Sequence, residues 1–409
     1  MSPPRDRMWG LRRAIDGRRP PACPQWRGRL AIAAIIFAVT GRVQAQEFSY
    51  RGFAEANLFV YPQEVPNDSA QVLGDALLRF EPALAMRRGI NLSASFDARI
   101  DTRPEVERSV RVRYWDRARL RPALATRSLM LTLAKGPFTI ELGKQFIRWG
   151  AADIVNPTDR FTARDYLTVV NSDVLASTAG RLSLTGASDT VEAVFTPRLT
   201  PSRVPLLEHR WVGLDAVRAG LTLRDAGARF PDGPQLGLRW NRRYAAGGEF
   251  SIAYFQGYNH LPRVNATIVA REARADVERH FPAIRMVGAD FVSALPAFTV
   301  KGEAAWVHAR QRDVDDYLLW VLQLERQYRE WLFIGGYVGE AVTRERPALT
   351  FAPDRGLARS VVGRAALTLD GGRSVAIEAV ARQNGDGVYI KTDYSHGFAA
   401  QWRVTLRLL

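Results

Sequence analysis

The chain has 409 residues, 47% of them hydrophobic and 24% charged, with a formal net charge of +15 and a single cysteine. A helical membrane protein needs about 20 apolar residues in a row for each span, and the best run here, residues 30–40 (LAIAAIIFAVT), is too short. A transmembrane barrel hides its lipid face by alternation, so the composition excludes a bundle of membrane helices and leaves a barrel or a large soluble domain.

Residues 1–45 read as a secretion signal. Arg12, Arg13, Arg18, Arg19, Arg27 and Arg29 precede the apolar run, and Val43-Gln44-Ala45 offers small residues for cleavage before Gln46. The long basic stretch leaves the translation start open, with Met8 as an alternative. Setting this segment aside removes nine arginines and two aspartates, so residues 46–409 carry 48 basic and 40 acidic residues, a net of +8. Nucleic-acid binding, which +15 would suggest, loses its support. Cys23 leaves with the signal, and a cysteine-free remainder fits an oxidising periplasmic route.

The next strong signal is Ile90–Asp101 (INLSASFDARID). Ile90, Leu92, Ala94, Phe96, Ala98 and Ile100 alternate strictly with Asn91, Ser93, Ser95, Asp97, Arg99 and Asp101. A period of two held for the length of a tilted spanning strand predicts a barrel strand. Residues 138–148, 248–258, 298–308, 360–369, 375–382 and 401–409 repeat the pattern, while 311–330 reads as strand–turn–strand. Tight turns are expected at Lys135-Gly136-Pro137, residues 186–189 and 246–248, and Asp370-Gly371-Gly372. Longer polar connections are expected at 62–71, 102–121, 262–280 and 344–357. Alternating short turns and long loops separates the two ends of an outer-membrane barrel, and the spacing predicts about 16–18 strands, with an even number favoured. Aromatic residues near strand ends, among them Tyr50, Trp306, Trp331 and Trp402, suit interfacial girdles. The fold class is therefore all-β: a transmembrane antiparallel barrel over residues 46–409, with one inward or constricting loop.

That loop is where alternation stops. Residues 148–167 (RWGAADIVNPTDRFTARDYL) hold Arg148, Asp153, Asp159, Arg160, Arg164 and Asp165 around the turn former Asn156-Pro157. Pro157 would interrupt a ladder, and balanced charges at this density predict an ordered, ion-paired loop.

GKQFIRWGAADIVNPTD, with Gly143, Gln145, Trp149-Gly150, Asn156-Pro157 and Asp159, resembles a motif of porin-like outer-membrane barrels of unknown function, a family distantly similar to alginate-export porins. The resemblance covers about 30 residues, and the Leu408-Leu409 ending departs from the aromatic C-terminus usual in such barrels. It implies a Gram-negative outer-membrane channel that passes or exports small or polymeric solutes, anionic ones included. Lipid, lipopolysaccharide and the barrel-assembly machinery would be its partners.

Resemblance and chemistry together suggest that residues 148–165 line the lumen as a polar constriction, with Arg148, Trp149, Asp153, Asn156, Asp159, Arg160, Arg164 and Asp165 as its residues. A solvated exposed loop is the competing reading. Asp97, Arg99, Glu141, Gln145, Arg239, Glu303, Glu378 and Arg382 are expected to face the lumen from the strands. Arginine supplies 53 of the 57 basic residues, a bias that genome composition produces as readily as function. The five histidines (209, 260, 280, 308, 396) form no HExxH pair, and neither a nucleophile elbow nor a phosphate loop is present. No catalytic residue, metal or cofactor is expected. A non-conducting scaffold or export component, and a hydrolase using His260 or His308 near a serine, stay open on the sequence alone.

Overall fold

The computed structural model describes residues 47–409 except 66–67, 88, 213–219, 246, 313, 345–354, 384–386 and 399–400. The expected secretion signal, its cleavage site and the turn residue Ala246 lie outside the described residues. In chain order the strands of the main sheet are β1 (Glu47–Val60), β2 (Val72–Arg87), β3 (Ile90–Asp101), β4 (Leu124–Lys135), β5 (Phe138–Gln145) and β6 (Ser177–Thr185). They continue with β7 (Asp189–Thr196), β8 (Gln235–Tyr244), β9 (Gly248–Tyr258), β10 (Ala283–Ala294), β11 (Thr299–Ala309) and β12 (Asp316–Tyr328). The last are β13 (Trp331–Arg344), β14 (Ser360–Asp370), β15 (Arg373–Arg382), β16 (Val388–Phe398) and β17 (Trp402–Leu408).

Among the described residues each strand pairs antiparallel with the next, giving a meander of 17 strands; the two-residue piece Val112–Arg113 adds alongside β4 in parallel. The count falls within the expected range but is odd, so the preference for 16 or 18 is corrected. β1 and β17 run in the same direction. A tight turn follows every even-numbered strand, as at Gly136 and Gly371-Gly372. A longer connection follows every odd-numbered one, from 383–387 after β15 to 197–234 after β7. The connection after β9 was expected to be plain loop. It contains a hairpin of Arg263–Val269 and Arg274–His280, which Thr222–Arg229 joins in parallel.

Residues 311–330 are also corrected: they form one 13-residue strand, β12, entered from a short connection. The reason lies in what β12 covers. Its inward residues Tyr317, Leu319 and Val321 are buried while Leu322 and Leu324 on the other face are exposed, so both faces are apolar and alternation disappears. The same holds along β9–β11, where Ala253, Phe255, Met286 and Val307 are buried and Ile252, Val287 and Trp306 are exposed. On β2 and β3 the inward face is polar, carrying Arg79, Asp97 and Arg99.

The buried residues of β6–β13 pack on Ile147, Trp149, Ala152 and Phe161, which belong to the connection between β5 and β6. That same connection reaches Arg79 and Arg99 through Asp173 and Arg407 on β17 through the carbonyl of Val170. One segment touching strands from β2 to β17 requires the sheet to curl around it.

Candidate functional site

The last two residues of β5 stay in the ladder, but both are buried, so alternation ends there. Lys144 is buried and donates to the carbonyls of Tyr114 and Thr126 (2.6 Å each) and to Asp116 (2.6 Å). Gln145 donates to the carbonyls of Glu141 (3.2 Å) and Ala179 (3.1 Å). The chain then turns inward and buries Trp149 completely. The indole packs edge-on against Phe161, and Phe161 against Phe255, each at 5.1 Å between ring centroids. Its Nε1–H donates to Glu192 on β7, which Arg181 on β6 also holds. Gly237 on β8 makes room for the two rings: a Cβ there would lie 2.5 Å from Trp149 and 2.6 Å from Phe161.

Beyond Trp149 the loop wraps a single carboxylate. Glu303 on β11 accepts from the backbone N–H of Ala151 (3.1 Å), Ala152 (3.3 Å) and Thr158 (2.7 Å) and from the Thr158 hydroxyl (2.8 Å). Gly150 has φ +86, and a Cβ on it would meet the Glu303 carboxylate at 2.5 Å. The Trp-Gly and Asn-Pro elements of the motif thus bracket a backbone nest for one anionic side chain. Asp153 fastens the same loop to β11 and to the next strand, β12, accepting from Lys301 (2.6 Å) and Gln323 (2.7 Å) respectively. Asn156 donates to the Ala152 carbonyl (2.5 Å), and Asp159 accepts from the N–H of Phe161 and Thr162 (3.1 Å each), so both shape the turn itself. Arg160 donates to the Pro157 carbonyl (2.9 Å). Burial pushes the Asp159 carboxyl up, against its hydrogen bonds with Thr162.

Residues 163–165 pair with Asp173–Leu175 on one side and reach Arg203 on the other. Asp165 accepts two hydrogen bonds from Arg121 and one from Arg203, all at 3.0 Å. Burial opposes its ionisation, but Arg121 and Arg203 outweigh that and hold its carboxyl at about 2. Arg203 continues to Asp116 (2.8 Å) and Arg121 to Glu105 (2.9 Å), so this network ties the connections after β3, β5 and β7 together.

Most of the expected constriction residues are therefore anchors. Trp149, Asp159, Arg160 and Asp165 are buried, Asn156 is half-buried, Arg164 gives its backbone N–H to Ser202, and only Arg148 and Asp153 are exposed. Trp149, Asp153, Arg164 and Asp165 find partners on the strands and other loops, whereas Asn156, Asp159 and Arg160 bond within the segment itself. Of the expected strand residues, Asp97, Arg99, Glu141, Gln145, Arg239 and Glu303 all bond within the curl of the sheet, Glu141 to Arg181 (3.2 Å) and Arg239 to Asp290 (3.1 Å). Glu378 lies opposite Arg364 and Lys391 in register. Arg382 is exposed and donates to the Gly356 carbonyl.

Three features escaped the sequence reading: Asp173 with Arg79, Arg99 and Arg127; the Asp165 network; and Glu192 beneath Trp149. Strict alternation already placed Asp97 and Arg99 on one face. Nothing local in the sequence marks Asp173, which lies past the end of the motif. Ser202 and His260 do meet, Oγ to Nδ1 at 2.9 Å, but both are buried and the Ser202 Oγ also accepts from Arg164. His308 bonds Asp316 (2.8 Å). Among the described residues no group of three or more His, Cys, Asp or Glu is placed to hold a metal, and no helix is long and apolar enough to cross a membrane.

No family model matches the chain, and no curated protein sequence does. The chain is similar in structure to Acinetobacter baumannii OccAB4, at 10% identity and TM-score 0.50, covering 90% of this chain and 94% of that one. A triple mutant of Rhodopseudomonas blastica porin aligns at 10% identity and TM-score 0.44 over 88% of this chain and 100% of that one. The fold is an all-β antiparallel barrel of porin-like type.

Proposed function

We propose that the chain is an outer-membrane channel for small polar solutes, with the segment after β5 narrowing its lumen. The observation that carries this reading is the unequal filling of the inner wall. The segment packs its apolar side on β6–β13, while charged residues on the other part of the wall stay accessible. The Arg51 side chain is 84% exposed, and Arg407, Lys391 and Asp393 are 20–30% exposed. Charged side chains left open on an inner face call for water, and a polar lane beside an anchored segment is what a selective passage needs. In this reading residues 148–165 hold the segment in place, and residues 169–173 form its lip towards the lane. Anionic solutes suit the arginines of that lane. Passage through the lane requires no partner beyond the lipid around the barrel and the solute.

Planar-bilayer recording of the purified barrel tests the proposal. Stepwise conductance is expected, together with a shift in ion selectivity when Arg407 and Arg51 are replaced by Gln. A correctly folded protein that shows no conductance, and no liposome swelling with sugars or organic anions, would replace the channel with a non-conducting scaffold or export component.

A further inference from the structure

Arg79, Arg99 and Arg127 stand on the adjacent strands β2, β3 and β4 and point their guanidinium groups at one carboxylate, that of Asp173. Arg127 grips it with two bonds (2.6 and 3.0 Å), Arg99 with one (3.1 Å), and Arg79 lies at 3.6 Å. Arg79 is already held by Asp97 through two bonds (2.7 and 2.9 Å), and Arg99 shares that aspartate (3.0 Å). Two carboxylates thus face three guanidinium groups; without Asp173 the wall here would carry a net of two positive charges. Arg127 also rests on the Phe146 ring, at 4.9 Å to its centroid.

Asp173 differs from the groups it faces. It comes from the inner segment rather than the wall, and its side chain is 36% exposed against 11–21% for the arginines. Among the described residues its strand, Asp173–Leu175, pairs with Ala163–Asp165 alone, and the turn before it, Val169–Asn171, has no side-chain cap. Asp97 holds the arginines on the wall side, and Asp173 is carried on the outer strand of a two-stranded hairpin.

We propose that Arg79, Arg99 and Arg127 form a carboxylate-binding site on the inner wall, which Asp173 fills in place of a solute and yields to a solute carboxylate by swinging away. The bidentate geometry on Arg127 selects a planar carboxylate over a point anion. The site stands on its own geometry; its part in permeation rests on the channel reading above.

The experiment is calorimetric titration of the folded, detergent-solubilised barrel with sodium benzoate, inorganic phosphate and benzylammonium. Asp173→Asn is expected to bind benzoate about tenfold more tightly than the native chain, because the internal competitor is gone. Arg127→Gln added to it should return the affinity to the native level or below. Benzylammonium should not bind, and phosphate should bind more weakly than benzoate. Asp173→Ser serves as a second variant with the same expectation. Benzoate affinity within about twofold of native in both variants overturns the proposal. So does phosphate binding as well as benzoate, or failure of both variants to fold, which would make Asp173 a structural counter-ion. Conductance with no gain in affinity leaves the channel standing and removes the site, whereas a gain in affinity in a barrel that conducts nothing does the reverse.

Discussion

Glu303 and Gly150 form a pair whose two halves depend on each other. The carboxylate satisfies the loop N–H groups of Ala151, Ala152 and Thr158, and its removal strands donors that are costly to leave unmet. Glu303→Ala should lower unfolding stability by about 3 kcal/mol, measured by urea titration in detergent. Gly150→Ala carries two separate costs, a left-handed backbone and a Cβ pushed into that carboxylate, together about 2 kcal/mol. Only the second depends on Glu303. In a Glu303→Ala background the cost of Gly150→Ala should therefore fall by about 1 kcal/mol, a coupling that a double-mutant cycle resolves. Strict additivity would mean that the nest does not hold the carboxylate in solution. The motif residues were visible in the sequence as a break in alternation, but their partner was not. Glu303 is about 150 positions away, and on its own strand it is one charged residue on a polar-looking face. Only the curl of the sheet brings the two together.

The same distinction between local pattern and distant partner holds for whole elements. β3 was legible because one face meets water and the other apolar surroundings, whereas β12 was misread because its inward residues Tyr317, Leu319 and Val321 join the apolar cluster built on the inner segment. Trp149→Ala would open a cavity under Phe161 and remove one of the bonds to Glu192, costing about 3–5 kcal/mol. Limited trypsin treatment should then cut after Arg148, Arg160 or Arg164 while the barrel stays folded; unchanged resistance would mean that the polar anchors alone hold the segment. Loops couple through charge as well. Glu105, after β3, lies 3.6 Å from His209, after β7. Burial pushes Glu105 up to about 7 against Arg121 and Arg103, and burial with Arg103 pushes His209 down to about 4. Glu105, raised on folding, contributes stability that is full below 4.5 and lost as pH rises through 7. His209, lowered on folding, leaves stability full above 6.5 and lost as pH falls towards 4. Between 4.5 and 6.5 the slopes oppose and nearly cancel. Glu105→Gln should unmask stability that rises with pH in that window and His209→Gln stability that falls, each on the order of 1 kcal/mol per pH unit. Parallel urea-unfolding profiles for all three chains would sink this assignment.

Across the whole molecule, the asymmetry between tight turns and long connections orders the barrel in a membrane. The net charge of +15 says nothing about which end is which, since much of it lies in residues 1–45. The lengths do: turns such as Gly371-Gly372 present almost no surface, whereas the connections after β7 and β9 build a three-stranded sheet of their own, with Arg224–Asp276 and Arg229–Glu278 pairs on it. In outer-membrane barrels the long loops face outward and the short turns face the periplasm. Cys23 is the chain's only cysteine and lies outside the described residues, so single cysteines can be introduced against a clean background if that residue is replaced by serine. Glu272→Cys, in the long connection after β9, should react with a membrane-impermeant maleimide on intact cells. Gly371→Cys, in the turn after β14, should react only after the outer membrane is breached. Labelling of both in intact cells would place the barrel outside the outer membrane or leave it unassembled. Labelling of Gly371→Cys alone would invert it, and with it the end at which the proposed channel would first meet a solute.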